Sequence, residues 1–176
     1  FLLGSTMTVP ANTEQLAAEL GQLLLRKKAT ITTAESCTGG GIAYSLTAIP
    51  GSSAYLDRSF VTYSNKAKQQ LLGVKSATLL QFGAVSEETV LEMAQGAASA
   101  ANAQVAVAVS GIAGPDGGTP TKPVGTVCFG FHLFGHTITT RLLFHGDRSA
   151  VRQQSVDFAL QQLILLLTEQ THSTTV

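Results

Sequence analysis

One short stretch gathers several groups able to do covalent chemistry: Thr32-Thr33-Ala34-Glu35-Ser36-Cys37-Thr38-Gly39-Gly40-Gly41. It offers hydroxyls and a thiol, followed by three glycines. The apolar and β-branched run Ala29 to Thr33 predicts a buried strand, and Ile42 to Leu46 continues as a helix, so the glycines fall at a helix N-terminus. The first backbone N–H groups of a helix have no internal partner, and with the positive end of the dipole they attract phosphate, carboxylate or a developing oxyanion. An anion cradle is one reading. A turn that packs a helix on a sheet is the plainer one, since the pattern is neither a Walker loop nor a full dinucleotide fingerprint.

Other reactive groups follow. Ile49-Pro50-Gly51-Ser52-Ser53 predicts a sharp turn holding two hydroxyls, and Tyr63 and Lys68 flank a strand-to-helix corner. A lysine that sheds its proton through burial can act as base for a serine, giving a hydrolase that needs no histidine. Cys37 is a rival nucleophile, because a helix N-terminus stabilises a thiolate. His132, His136, His145 and His172 fall into no cysteine-hydrolase arrangement, and no Gly-x-Ser-x-Gly elbow is present. Arg148 and Arg152 stand four apart at the start of the last predicted helix, where the dipole disfavours cations. An anion clamped by at least one of them would offset that cost; a surface ion pair is the alternative.

The elements that must hold these groups can be read in order. Asn12 or Thr13 can cap a first helix with Leu16, Leu20, Leu23 and Leu24 on one face. Phe60 to Tyr63 reads as a second strand, and Asn65 to Leu72 as a helix closed by Gly73. Ser76 to Phe82 forms a short helix ended by Gly83, and Ser86 caps a longer, alanine-rich one reaching Ala101. Val105 to Val109 is a strand that runs into a second glycine-rich loop, Ser110 to Gly118. Val124 to Phe134 and His136 to Phe144 form a hairpin around Gly135, and Asp147 caps a long final helix. Strands alternating with helices, then a hairpin, predict an α/β protein, a three-layer α/β/α sandwich with a mixed β-sheet. Ligands in such sheets sit beyond the carboxyl ends of the strands, which brings both glycine-rich loops to one site.

A chain of 176 residues predicts a single domain, with residues 1–11 a leader or tag remnant and 170–176 a tail. Eleven basic and eleven acidic side chains leave no net charge, so neither nucleic acid nor an anionic membrane is expected as partner. Cys37 and Cys128 are too few for a disulfide scaffold and lack zinc-ligand spacing; a reducing cytoplasm is the expected compartment. The most apolar run, Ile164 to Leu167, is far shorter than the roughly 20 residues a membrane span needs.

Together, Ala34 to Gly40, Pro50-Gly51-Ser52-Ser53, Thr62 to Lys68, Gly83-Ala84-Val85-Ser86, Ser110 to Gly118, Lys122 to Val127 and Gly146-Asp147-Arg148 resemble the CinA C-terminal domain family. The resemblance runs from about Thr13 to Leu167 in consistent order. It implies hydrolysis of the carboxamide of nicotinamide mononucleotide to nicotinate mononucleotide and ammonia, within pyridine-nucleotide recycling, by a serine/lysine pair with no metal and no cofactor. It implies Lys68 as the base and either Ser53 or Ser36 as the nucleophile. Ser53 is favoured, because Ser36 opens a helix N-terminus where it could help Thr38, Gly39 and Gly40 hold an anion. Tyr63 matches a further position of the catalytic group, and Ser110, Gly111 and Arg148 match substrate contacts. A homo-oligomer, in the simplest case a dimer, is expected. Two other functions stay open: a non-catalytic nucleotide-binding or regulatory module, and a Cys37-dependent hydrolase.

Overall fold

The computed structural model describes residues 8–172. In chain order the elements are α1 (Ala11–Lys27), β1 (Ile31–Glu35), α2 (Gly41–Thr47), a 3₁₀ turn at Ser52–Ala54, β2 (Phe60–Val61) and α3 (Asn65–Leu72). They continue with α4 (Ser76–Phe82), α5 (Glu87–Ala101), β3 (Val105–Gly111), β4 (Thr126–Leu133), β5 (His136–Leu143) and α6 (Arg148–His172). The sheet has the order β2-β1-β3-β4-β5. β1 is parallel to both β2 and β3, and the β4–β5 hairpin adds antiparallel strands on the other side. Helices cover both faces, so the expected three-layer mixed sandwich is what the chain forms.

The alternation of side chains along the strands sorts the core into two halves. Val105, Val107 and Val109 of β3 and Val127, Phe129, Phe131 and Leu133 of β4 point toward α1, α2 and α6, where Leu20, Leu24, Ile42, Leu160 and Leu163 are buried among them. Ala34, Ala108 and Cys128 point the other way, against Val90, Met93, Ala94 and Ala97 of α5. That second face is built from small residues because α5 lies close to the strands. A Cβ on Gly130 would stand 2.4 Å from the Val90 carbonyl oxygen, so only glycine fits there.

Local signals set several boundaries. Ser64 Oγ accepts from the Ala67 amide to start α3, and Gly73 ends it in the left-handed region. Ser86 caps α5 through the Thr89 amide, as its sequence predicts. Asp147 Oδ1 accepts from the Ala150 amide in the first turn of α6. Other expectations shift. Neither Asn12 nor Thr13 caps α1, which begins one residue after Pro10; Thr13 is buried, and its hydroxyl donates to Asp157 of α6. β1 lies two residues later than the apolar run suggests, because pairing with β2 and β3 carries it on to Glu35. α6 continues to His172, so the expected tail is helical over 170–172. Most of the proposed leader, 1–7, and the last residues, 173–176, lie outside the described residues.

Candidate active site

At the carboxyl ends of β1, β2 and β3 the chain leaves a cavity of about 290 Å³, lined by Ser36, Tyr63, Lys68, Ser110, Gly111 and Arg148 among others. This is near the lower end of the range for small-ligand sites, roughly 300–1,000 Å³. Both glycine-rich loops reach it, the first through Ser36 and Cys37 and the second through Ala113, while Ala84 and Val85 from the α4–α5 connection form an apolar wall. Gly111 belongs to that lining by necessity, since a Cβ there would meet Val127 Cγ2 at 2.7 Å and the Thr126 carbonyl at 3.0 Å.

Ser36 follows the last residue of β1, and its amide donates to the Val109 carbonyl of β3 at 3.0 Å. Lys68 sits one turn into α3, with only 1% of its surface exposed. Its Nζ lies 3.2 Å from Ser36 Oγ and donates to the Thr62 carbonyl at 3.0 Å. Burial holds the Lys68 pKa below the ordinary lysine value of 10.5; the neighbouring Cys37 opposes this more weakly. A lysine with no carboxylate partner among the described residues, a lowered pKa and a hydroxyl within hydrogen-bond reach can take that hydroxyl's proton.

The cradle read at the start of α2 is filled by the protein's own carboxylate. Glu35, fully buried, accepts from the Ile42 amide at 2.8 Å, the Ala43 amide at 3.0 Å, the Thr33 hydroxyl at 2.9 Å and the Thr38 hydroxyl at 2.7 Å. The Gly39 amide is spent on the Ser36 carbonyl and the Gly41 amide on the Thr38 carbonyl. Thr38, Gly39 and Gly40 do not line the cavity. Gly39 and Gly40 shape the turn, both at positive φ.

Ser53 is elsewhere. It is exposed, in the 3₁₀ turn that follows α2, and does not line the cavity. The Tyr55 carbonyl accepts from the Ile31 amide at the amino end of β1, whereas Ser36 stands past its carboxyl end. The five residue steps from Ile31 to Ser36 span roughly 16 Å of extended chain. Pro50-Gly51-Ser52-Ser53 turns the backbone from α2 toward the edge strand, and Lys68 has Ser36 as its hydroxyl neighbour.

Of the two arginines at the start of α6, Arg148 faces the cavity, donating to the Gly114 carbonyl at 2.9 Å and the Tyr63 hydroxyl at 3.2 Å. Two of its five N–H donors are thus engaged, and no hydrogen bond from the others falls among the described residues. Arg152 donates to the Cys37 carbonyl at 3.0 Å and the Thr38 carbonyl at 3.4 Å. Cys37 lines the cavity, but burial, first among several causes, pushes its thiol up to about 11, against the smaller pull of its own amide and Arg152. The helix end that would stabilise a thiolate is already neutralised by Glu35. Among the described residues no three His, Cys, Asp or Glu side chains come together as a metal-ligand set. No helix of the described chain is long and apolar enough to cross a membrane.

Sequence reasoning missed Glu35 as the cap of α2 and the Thr62 carbonyl as a support for Lys68. An acidic residue closing a buried strand just before a glycine-led helix was the available signal for the first; a backbone carbonyl leaves none.

An open α/β/α sheet carries, at one cleft, a buried amine against a serine hydroxyl and an arginine that faces the same space. The chain belongs to the CinA C-terminal domain family, whose model matches residues 13–167. It is 58% identical over 150 residues to the nicotinamide-nucleotide amidohydrolase PncC of Escherichia coli K12, covering 85% of this chain and 91% of that protein. It is 53% identical to the protein of the same name from Pseudomonas putida, covering 88% of this chain and 96% of that one. The crystal structure of the competence/damage inducible protein CihA from Agrobacterium tumefaciens superposes with a TM-score of 0.88 at 45% identity, over 91% of this chain and 99% of that one.

Proposed function

We propose that this chain hydrolyses the carboxamide of a nicotinamide nucleotide, nicotinamide mononucleotide first, to the carboxylate and ammonia, with Ser36 as nucleophile and Lys68 as base. The activity is the one named for its relatives at 58% and 53% identity. The observation that carries the residue assignment is the 3.2 Å approach of buried Lys68 Nζ to Ser36 Oγ inside the cavity.

Neutral Lys68 donates one N–H to the Thr62 carbonyl, which turns its lone pair toward Ser36. Ser36 Oγ loses its proton to Nζ and attacks the carboxamide carbon. The Cys37 and Thr38 amides, which donate to no other residue among those described, are available as backbone donors for the oxyanion. The Lys68 ammonium then protonates the leaving nitrogen; the C–N bond breaks, ammonia departs and an ester to Ser36 remains. Water, deprotonated by Lys68, attacks the ester, and the proton returns to Ser36 Oγ as the carboxylate product leaves. Arg148 supplies the counter-charge for the nucleotide phosphate, and the exposed Tyr63 ring at the mouth offers a face to the pyridine.

Incubation of the protein with nicotinamide mononucleotide should release ammonia and nicotinate mononucleotide in equal amounts. Binding without turnover across several pH values would favour a nucleotide-binding module instead.

A further inference from the structure

We infer that Arg152 is a positioning residue that holds the Ser36–Gly39 turn in its reactive orientation, rather than a ligand for the substrate's anionic group. The inference rests on the amidase reading for its substrate, but its geometry is independent of which acyl compound enters.

The turn has three peptide carbonyls to fix. The Ser36 carbonyl accepts from the Gly39 amide at 3.0 Å, and the Thr38 carbonyl accepts from the Gly41 amide at 3.0 Å as well as from Arg152 Nη2. The Cys37 carbonyl has a single donor among the described residues, Arg152 Nε at 3.0 Å. In a trans peptide the C=O and N–H point in opposite directions. Drawing the Cys37 carbonyl toward α6 therefore turns the Thr38 N–H to the opposite side of the turn. Without Arg152 that peptide is free to rotate, and a half-turn would put a carbonyl oxygen where the N–H had been, which repels an oxyanion.

α6 is held at the right depth to deliver the guanidinium. A Cβ on Gly41 would stand 3.0 Å from Val156 Cγ2, one turn beyond Arg152, so the helix lies directly on the start of α2. Arg152 does not line the cavity, and its two hydrogen bonds among the described residues both go to backbone carbonyls. One planar guanidinium reaches both at once, which a lysine ammonium does less well. Glu35 grips the same residue from the other side by accepting from the Thr38 hydroxyl. The turn behind the nucleophile is thus fixed by a buried carboxylate and a guanidinium, neither in the cavity.

Steady-state kinetics with nicotinamide mononucleotide and covalent labelling by a fluorophosphonate test this together. In labelling, Ser36 Oγ bonds to phosphorus, the P–F bond breaks, fluoride leaves and Lys68 takes the proton. Arg152→Ala should lower kcat about 10- to 100-fold with KM changed less than about threefold, and slow labelling by a similar factor. Arg152→Lys, which keeps the charge and one donor, should recover part of both and guards against misfolding of the alanine variant, with the melting temperature as control. A raised KM with kcat and labelling intact would make Arg152 an anion ligand and overturn the inference. Unchanged kcat and unchanged labelling would overturn it as well. Wild-type protein that labels in an Arg152-dependent way but releases no ammonia would sink the substrate reading and leave the inference standing. Wild-type protein that neither labels nor turns over would remove both.

Discussion

Lys68 Nζ stands 3.2 Å from Ser36 Oγ, although the two residues are 32 positions apart and come from different elements. β1, between β2 and β3, delivers Ser36 to the carboxyl edge of the sheet. α3 begins just after β2, the neighbouring parallel strand, so its first turn rises over the same edge. The lysine, almost wholly buried, gains by giving up its charge.

Activity should follow the titration of Lys68. The reactive form is the neutral amine, so kcat/KM should climb with pH through a limb that lies below the ordinary lysine value of 10.5, because burial disfavours the ammonium. Lys68→Arg, protonated throughout, should lose activity by about 10³-fold or more and show no such limb. A pH–rate profile of both proteins checks this.

Stability should carry the same signature. The unfolded chain keeps the lysine proton up to about its ordinary pKa, while the folded chain gives it up at lower pH. Between those two values the unfolded state binds more protons, so this group makes wild-type stability rise with pH. Lys68→Met removes that contribution. Denaturant unfolding of both proteins from neutral pH to pH 10.5 should therefore show the variant's stability, relative to wild type, falling as pH rises.

Cys37→Ser should keep most of its activity, within about tenfold of wild type. The thiol is 5% exposed and pushed up to about 11, so little thiolate exists at neutral pH. Rates of iodoacetamide inactivation, with and without substrate, give a second check. Fast inactivation reporting on one reactive thiolate would restore the cysteine hydrolase.

Glu35→Ala should destabilise the fold by about 2–4 kcal/mol, as it strips the partners from two helix amides and two hydroxyls in a site with no access to water. Glu35→Gln, which keeps the shape and one acceptor oxygen, should cost less. Urea unfolding at neutral pH separates them; equal and small losses would mean that the cap is dispensable.

The fold was legible because its punctuation is strong: Gly73, Gly83 and Gly135 end elements, Ser86 and Asp147 begin them, and β-branched runs alternate with amphipathic ones. Lys68, Tyr63, Ser110, Gly111 and Arg148 were legible as a set, and the structure brings them to one cavity. The choice between Ser36 and Ser53 was not. It depends on which end of β1 each serine occupies, and a turn motif names a bend without saying where the bend lies in the sheet. At the Thr38-Gly39-Gly40 cradle the carboxylate that accepts from the Ile42 and Ala43 amides was likewise not legible. Orphan amides at a helix start attract any carboxylate, and Glu35, three residues before Thr38, is already tethered there.

The most direct test of Ser36 as nucleophile is to quench the reaction with nicotinamide mononucleotide in acid during turnover and map the acylated residue by peptide mass spectrometry, using wild type, Ser36→Ala and Ser53→Ala. The adduct should sit on Ser36 in wild type and in Ser53→Ala, whose turnover should stay within about tenfold of wild type. Ser36→Ala should carry no adduct and lose turnover by orders of magnitude. An adduct on Ser53, with Ser36→Ala still active, would contradict the pairing of Ser36 with Lys68.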